Sequence, residues 1–337
     1  MMVMTGADEH GAPGRNRPWP LTLPTGAALI ILAELLLVID VHLRGGAIVP
    51  YQPLNQAVGS LQIISRWVAV NITPVCWIGF LLMMDGLLTA LARPRSRRPE
   101  AFGSPARRRP RRFILCFLVS VPIWLFFDWV NFSFLDAWRY HGLPESLVHR
   151  YLGYFLAFGA ICPGMFLTTE LYQQLGLRRL RGPRLVFRPV QLGLFFVLGV
   201  AFLIFPFIAR NPAGSLTLWL APVLLLDPIN HALGGPSIVG DCRTGRWGRM
   251  VALMAGGLTC GLLWEFWNYF AAAKWTYNLP FLGPLEGYRY FEMPLAGLPG
   301  FLPFGIATWD AFQLVVTILR KVGINIAEPL PTEDTIL

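Results

Sequence analysis

The chain has 337 residues, 55% of them hydrophobic and 14% charged, with a formal net charge of +9. Soluble proteins carry about 25% charged residues, so this composition excludes an ordinary soluble enzyme. The apolar residues fall in blocks of about 20, the length that crosses about 30 Å of hydrocarbon as helix, with arginine clusters between them. The pattern predicts an all-α, polytopic integral membrane protein.

Residues 1–20 form a Gly- and Pro-containing tail ahead of the first apolar block. That block is longer than a secretory signal core and is expected to remain as an anchor. About eight transmembrane helices are expected, near 21–43, 67–92, 113–135, 150–172, 190–208, 216–231, 250–272 and 296–319. The first four make a membrane half over 21–175 and the others a half over 190–320. The sixth is short, and Asp227-Pro228 is expected to break it, because proline removes a backbone donor. Residues 93–112, with nine arginines among Pro, Gly and Ser, read as a mobile basic linker, and 321–337 as a tail.

With the N terminus in the cytoplasm, 21 of the 28 basic residues fall on the inner side, so the positive-inside bias places both termini in the cytoplasm. The same clustering beside spans assigns the basic charge to topology and anionic lipid headgroups, and no nucleic-acid partner is expected. The five cysteines show no C-x-x-C spacing and read as packing residues. His141, Glu145 and His149 have helical spacing, but Gly142 and Pro144 interrupt it, and no metal site is expected. No Gly-rich nucleotide pattern, nucleophile elbow or H-E-x-x-H occurs, and no cofactor is expected.

The chain repeats itself. Phe127-Asp128-Trp129-Val130-Asn131-Phe132 leads to Trp138-Arg139-Tyr140, and Trp264-Glu265-Phe266-Trp267-Asn268-Tyr269 leads to Trp275-Thr276-Tyr277. Acid, Asn, Trp and Tyr all match at an offset of 137. At an offset of 136, Gly153-Tyr154-Phe155 continues the match to Arg289-Tyr290-Phe291, and Cys162-Pro163-Gly164 to Leu298-Pro299-Gly300. Both copies cross the membrane in the same direction, which predicts a parallel four-plus-four duplication about a pseudo-twofold axis along the membrane normal.

Asp128 and Glu265 are acids inside spans, where acids are costly and face the bundle interior. Two carboxyls related by a pseudo-twofold could serve as acid and base at one cavity, so they are the candidate catalytic residues. Asn131 and Asn268, three residues on, share a helix face with the acids and could bond to them or to a ligand. Trp138 and Trp275 are expected at the outer interface. With Tyr140, Tyr277 and Glu292 they complete the candidate substrate-binding set. The same acids and asparagines could equally lock helices together by interhelical hydrogen bonds.

An intramembrane acid followed by W-x-Y, duplicated in one small polytopic chain, resembles the membrane-type lycopene cyclase domain of bacteria, archaea and fungi. The matching residues are Asp128, Trp138 and Tyr140 in one copy and Glu265, Trp275 and Tyr277 in the other. The family's P-x-E-E-x-x-F-F segment is missing, the nearest stretch being Tyr290-Phe291-Glu292-Met293-Pro294. The resemblance implies cofactor-independent protonation and deprotonation of an isoprenoid by Asp128 and Glu265, with inward aromatics stabilising the cation. Three functions remain open. One is an enzyme on a long apolar lipid, isoprenoid or carotenoid. The second is a transporter built on parallel repeats with Asp227 in its path. The third is a lipid-binding or assembly subunit with a membrane protein partner.

The charge distribution generates a first prediction. A reporter that works only in the cytoplasm is expected to be active when fused after residue 325 and silent when fused between residues 209 and 214. The reverse pattern would invert the topology.

Overall fold

The computed structural model describes residues 20–45, 59–92, 104–325 and 336–337. The N-terminal tail up to residue 19 and the linker residues 93–103 lie outside them. In chain order the elements are α1 (Thr22–Leu43), α2 (Ser60–Val70), α3 (Ile72–Leu91), α4 (Pro105–Arg108) and α5 (Pro110–Val130), extended by a π turn, Asn131–Leu135. Then come β1 (Trp138–His141), α6 (Leu147–Gln174), α7 (Pro189–Ala209), α8 (Gly214–Ala232), α9 (Ile238–Arg243), α10 (Gly248–Tyr269), β2 (Lys274–Tyr277), β3 (Arg289–Tyr290), β4 (Met293–Pro294) and α11 (Phe301–Lys321).

Seven helices among the described residues are long and apolar enough to cross a membrane. They include six of the expected spans nearly as bounded, and the last, whose helix begins with a 3-10 turn at Leu295–Gly300. The sixth expected span, α8, is helical for 19 residues but falls outside that apolar class. It is not broken. The helix runs through both Pro222 and Pro228, because α8 lies packed between α7 and α11, where protein re-satisfies the freed backbone groups.

One other expectation is corrected. The basic linker is ordered from residue 104: Pro105 and Pro110 occupy first turns of α4 and α5, where a missing N–H costs nothing, and Arg107 pairs with Asp85 at 2.7 Å. At the C-terminal end, Ile336 and Leu337 are buried, and the Ile336 carbonyl accepts from Trp309 Nε1 at 3.2 Å and Gln313 Nε2 at 3.1 Å.

Packing is the same in the two halves. In the first, α1 packs on α3, α3 on α6, and α6 on α5. In the second, α7 packs on α8, α8 on α11, and α11 on α10. Helices with no visible sequence match thus take equivalent places. The match of residues 153–155 to 289–291 is not structural, however. Residues 153–155 are helical whereas 289–291 belong to a β-hairpin that follows a 3-10 segment, Pro280–Gly287, kinked at Gly283.

β1 and β2 join the halves as an antiparallel ribbon, with Trp138 opposite Tyr277, Arg139 opposite Thr276, and Tyr140 opposite Trp275. Since residue i corresponds to i+137, the Arg139–Thr276 pair maps onto itself. The pseudo-twofold axis passes through it. Each W-x-Y segment is therefore the pairing partner of its own repeat.

Small groups let the helices close. A Cβ on Gly257 would sit 2.3 Å from the Phe301 carbonyl, and one on Gly305 2.2 Å from the Leu253 carbonyl, so α10 and α11 touch backbone to backbone. Ser120 of α5 enters the α6 ladder beside Pro163, donating to Phe158 O at 2.5 Å and accepting from Cys162 N at 3.1 Å. All five cysteines are buried in this packing.

Gly257→Val must push α11 away, at a cost of about 1–3 kcal/mol. Thermal unfolding in detergent is expected to show a lowered Tm for this variant, and little change for Gly287→Val, whose Cβ would meet nothing within 4 Å. Equal Tm values for both would contradict the close approach.

Candidate functional site

The ribbon is positioned by two asparagines near the ends of spans. Asn131 accepts from the Ala137 and Trp138 amides at 2.8 and 3.1 Å and donates to the Trp138 carbonyl at 2.7 Å. Asn268 accepts from the Trp275 amide and donates to its carbonyl, both at 2.8 Å. Both side chains are wholly buried. Their amide groups are spent on backbone and neither lines the cavity described below, so the expected ligand contact gives way to a structural one.

The clamped strands fold back over the acids. Tyr140 hydroxyl donates to Asp128 Oδ1 at 3.0 Å, with Oδ2 at 3.2 Å, and Tyr277 hydroxyl donates to Glu265 Oε1 at 2.7 Å. Each phenol oxygen also accepts an indole N–H: Trp124 Nε1 at 3.2 Å for Tyr140, and Trp275 Nε1 at 2.9 Å for Tyr277. Burial first, and then the adjacent carboxyl, push both phenols well above their ordinary range, so they stay protonated as donors.

The two carboxyls differ. Asp128 also accepts Trp138 Nε1 at 3.0 Å, so donors reach it from two side chains. Glu265 is wholly buried, and its Oε2 has no hydrogen-bond partner among the described residues. One fold repeat has produced two unlike sites.

Both tyrosines and both W-x-Y tryptophans line one cavity of about 430 Å³, the size of a small-molecule site. Asp128 and Glu265 do not line it; they stand one layer behind the tyrosines. The tryptophans expected at the outer interface are instead in this wall, Trp138 almost completely buried. Around them Trp124 and Trp264 rings lie 4.8 Å apart, Trp264 and Trp275 5.6 Å, and Trp138 and Trp219 6.0 Å. Edge-on and offset rings of this kind present a wide apolar surface with negative faces.

Several wall residues were not among the expected set. Trp77 of α3 and Trp219 of α8 come from spans without the motif, and Arg150 and Lys274 bring charge to the wall. Only Lys274 carried a signal, as one of two lysines in the chain and the neighbour of Trp275. Glu292 is not in the wall; it pairs with Lys274 Nζ.

Other candidates fall elsewhere. Asp227 accepts the Ile238 and Val239 amides at 2.5 and 2.8 Å, so its carboxyl caps the first turn of α9. His141 Nε2 meets Thr276 Oγ1 at 2.8 Å and His149 Nε2 meets Asn71 Oδ1 at 2.9 Å, so the two rings are engaged separately. Among the described residues no group of three His, Cys, Asp or Glu side chains is placed to hold a metal ion.

Asn131→Ala and Asn268→Ala each strand buried groups of a tryptophan backbone, at about 1–3 kcal/mol per group. Both variants are expected to lower Tm in detergent, and Asn268→Asp as well, since a carboxylate cannot donate to the Trp275 carbonyl. An unchanged Tm in all three would remove the clamps from the account. Comparison with protein-family models, curated proteins and solved structures finds no match for this chain.

Proposed function

We propose that this protein is a cell-membrane enzyme, with both termini cytoplasmic, that acts on one end of a long apolar lipid or isoprenoid by proton transfer. The observation that carries this reading is the pair of Tyr–carboxyl dyads facing one aromatic cavity, with unlike hydrogen bonding at the two carboxyls. Proton donation and proton removal at separate points of one substrate need such a pair.

In the reacting state the proton lies on Glu265, and the contact to Tyr277 runs from carboxyl to phenol. Tyr277 gives its own proton to a substrate double bond and takes one from Glu265. The resulting carbocation is stabilised by the faces of the surrounding tryptophans. A proton then leaves the substrate to Tyr140, which passes its own to Asp128. The substrate gains and loses one proton, so the net change is an isomerisation or cyclisation that consumes no redox cofactor. Resetting the enzyme returns the proton from Asp128 to Glu265 by way of solvent.

Mass spectrometry of total lipid and pigment extracts tests this. Cells with the wild type are expected to contain a species that is absent without the gene and lost in Asp128→Asn and Glu265→Gln at matched protein level. Tyr277→Phe, which keeps the ring but not the relay, is expected to lower product formation about 10²-fold or more. Identical extracts from all strains would overturn the enzymatic reading.

A further inference from the structure

The cavity has an uneven charge. Its wall includes Arg150, Lys274 and His149 and, among the described residues, no aspartate or glutamate. Lys274 Nζ is partly occupied, donating to the Tyr269 carbonyl at 2.8 Å and pairing with Glu292 from outside the wall. Arg150 is different. Its Nε donates to the Pro144 carbonyl at 2.8 Å, and no carboxylate among the described residues pairs with its guanidinium.

Depth separates this charge from Trp124. Arg150 lies in the first turn of α6, three residues from its start, or about 4.5 Å along the axis. Trp124 lies eleven residues from the end of its extended helix at Leu135, or about 16 Å. A cation near a helix end stands at headgroup level, and the Trp124 end of the cavity lies deeper, at acyl-chain level.

We propose that the occupant of this cavity is an amphiphile with an oxyanionic head, held by the Arg150 guanidinium and supported by Lys274, while its chain runs in along the tryptophans. This rests on the reading of the cavity as the substrate site, and it selects a charged lipid over a neutral hydrocarbon. A guanidinium whose terminal N–H groups have no partner among the described residues can bind a phosphate or carboxylate in bidentate fashion, which a hydrocarbon cannot reward. With no acid among the described wall residues, none of them repels such a head.

The test is titration of purified full-length protein in neutral detergent with hexadecyl phosphate, hexadecanoate and hexadecanol, followed by tryptophan fluorescence and thermal shift. Wild type is expected to bind at least one of the two anions about tenfold or more tighter than the alcohol. Which anion wins names the head as phosphate or carboxylate. In Arg150→Gln the anion-to-alcohol Kd ratio is expected to collapse toward one, and Arg150→Lys to recover part of it. Equal binding of anions and alcohol to wild type, or a ratio that persists in Arg150→Gln, would overturn the head-group assignment and leave the apolar site standing. Binding of none of the three would overturn the cavity reading together with this one.

Discussion

Two asparagine side chains buried at span ends hold the ribbon, and the arrangement of the cavity depends on them. Each satisfies both backbone groups of the tryptophan seven residues later. Without that clamp, non-helical backbone at this depth would carry unsatisfied donors and acceptors, each costing several kcal/mol in an apolar medium. With it, a short antiparallel ribbon can cross the pseudo-twofold axis inside the protein. The ribbon in turn carries the tyrosines over the acids and the tryptophans into the cavity wall.

Duplication explains the plan but not the chemistry. The same acid, Asn, Trp and Tyr occur in both copies, and the two clamps and the two phenol–carboxyl bonds are reproduced. The indoles are not. Trp138 donates directly to Asp128, while Trp275 donates to the Tyr277 oxygen, and Glu265 keeps one oxygen without a partner. The indole of the first copy bonds the carboxyl, and that of the second bonds the phenol. A symmetric frame thus offers two unlike carboxyls to one cavity, which a strictly symmetric pair could not do.

The polar groups within the bundle divide by role. Asp227 caps α9, Ser120 repairs the α6 ladder at a proline, and Arg107 with Asp85 ties α4 to α3. These serve the fold. The phenols, Arg150 and Lys274 face the cavity. Exposed apolar side chains on α1 and α7, such as Leu35, Val38, Val190 and Val197, form the outer surface, as expected where the surroundings are hydrocarbon.

The sequence by itself determined the membrane class, nearly all span positions and the duplicated acid-x₉-W-x-Y motif, because span length, charge exclusion and a fixed offset are local or one-dimensional properties. It also singled out Asp128, Glu265, Tyr140 and Tyr277. Only the tertiary structure decided which of these face a cavity, since strand pairing between residues 137 apart turns the ribbon inward and sets the acids behind the phenols. It decided that Asn131 and Asn268 are clamps, that Glu292 lies outside the wall, and that α8 stays helical through two prolines. It also brought in Trp77, Trp219 and Arg150 from helices with no motif. Those placements follow from helix packing and hydrogen-bond closure, long-range constraints that leave no periodic or spacing signal in the chain.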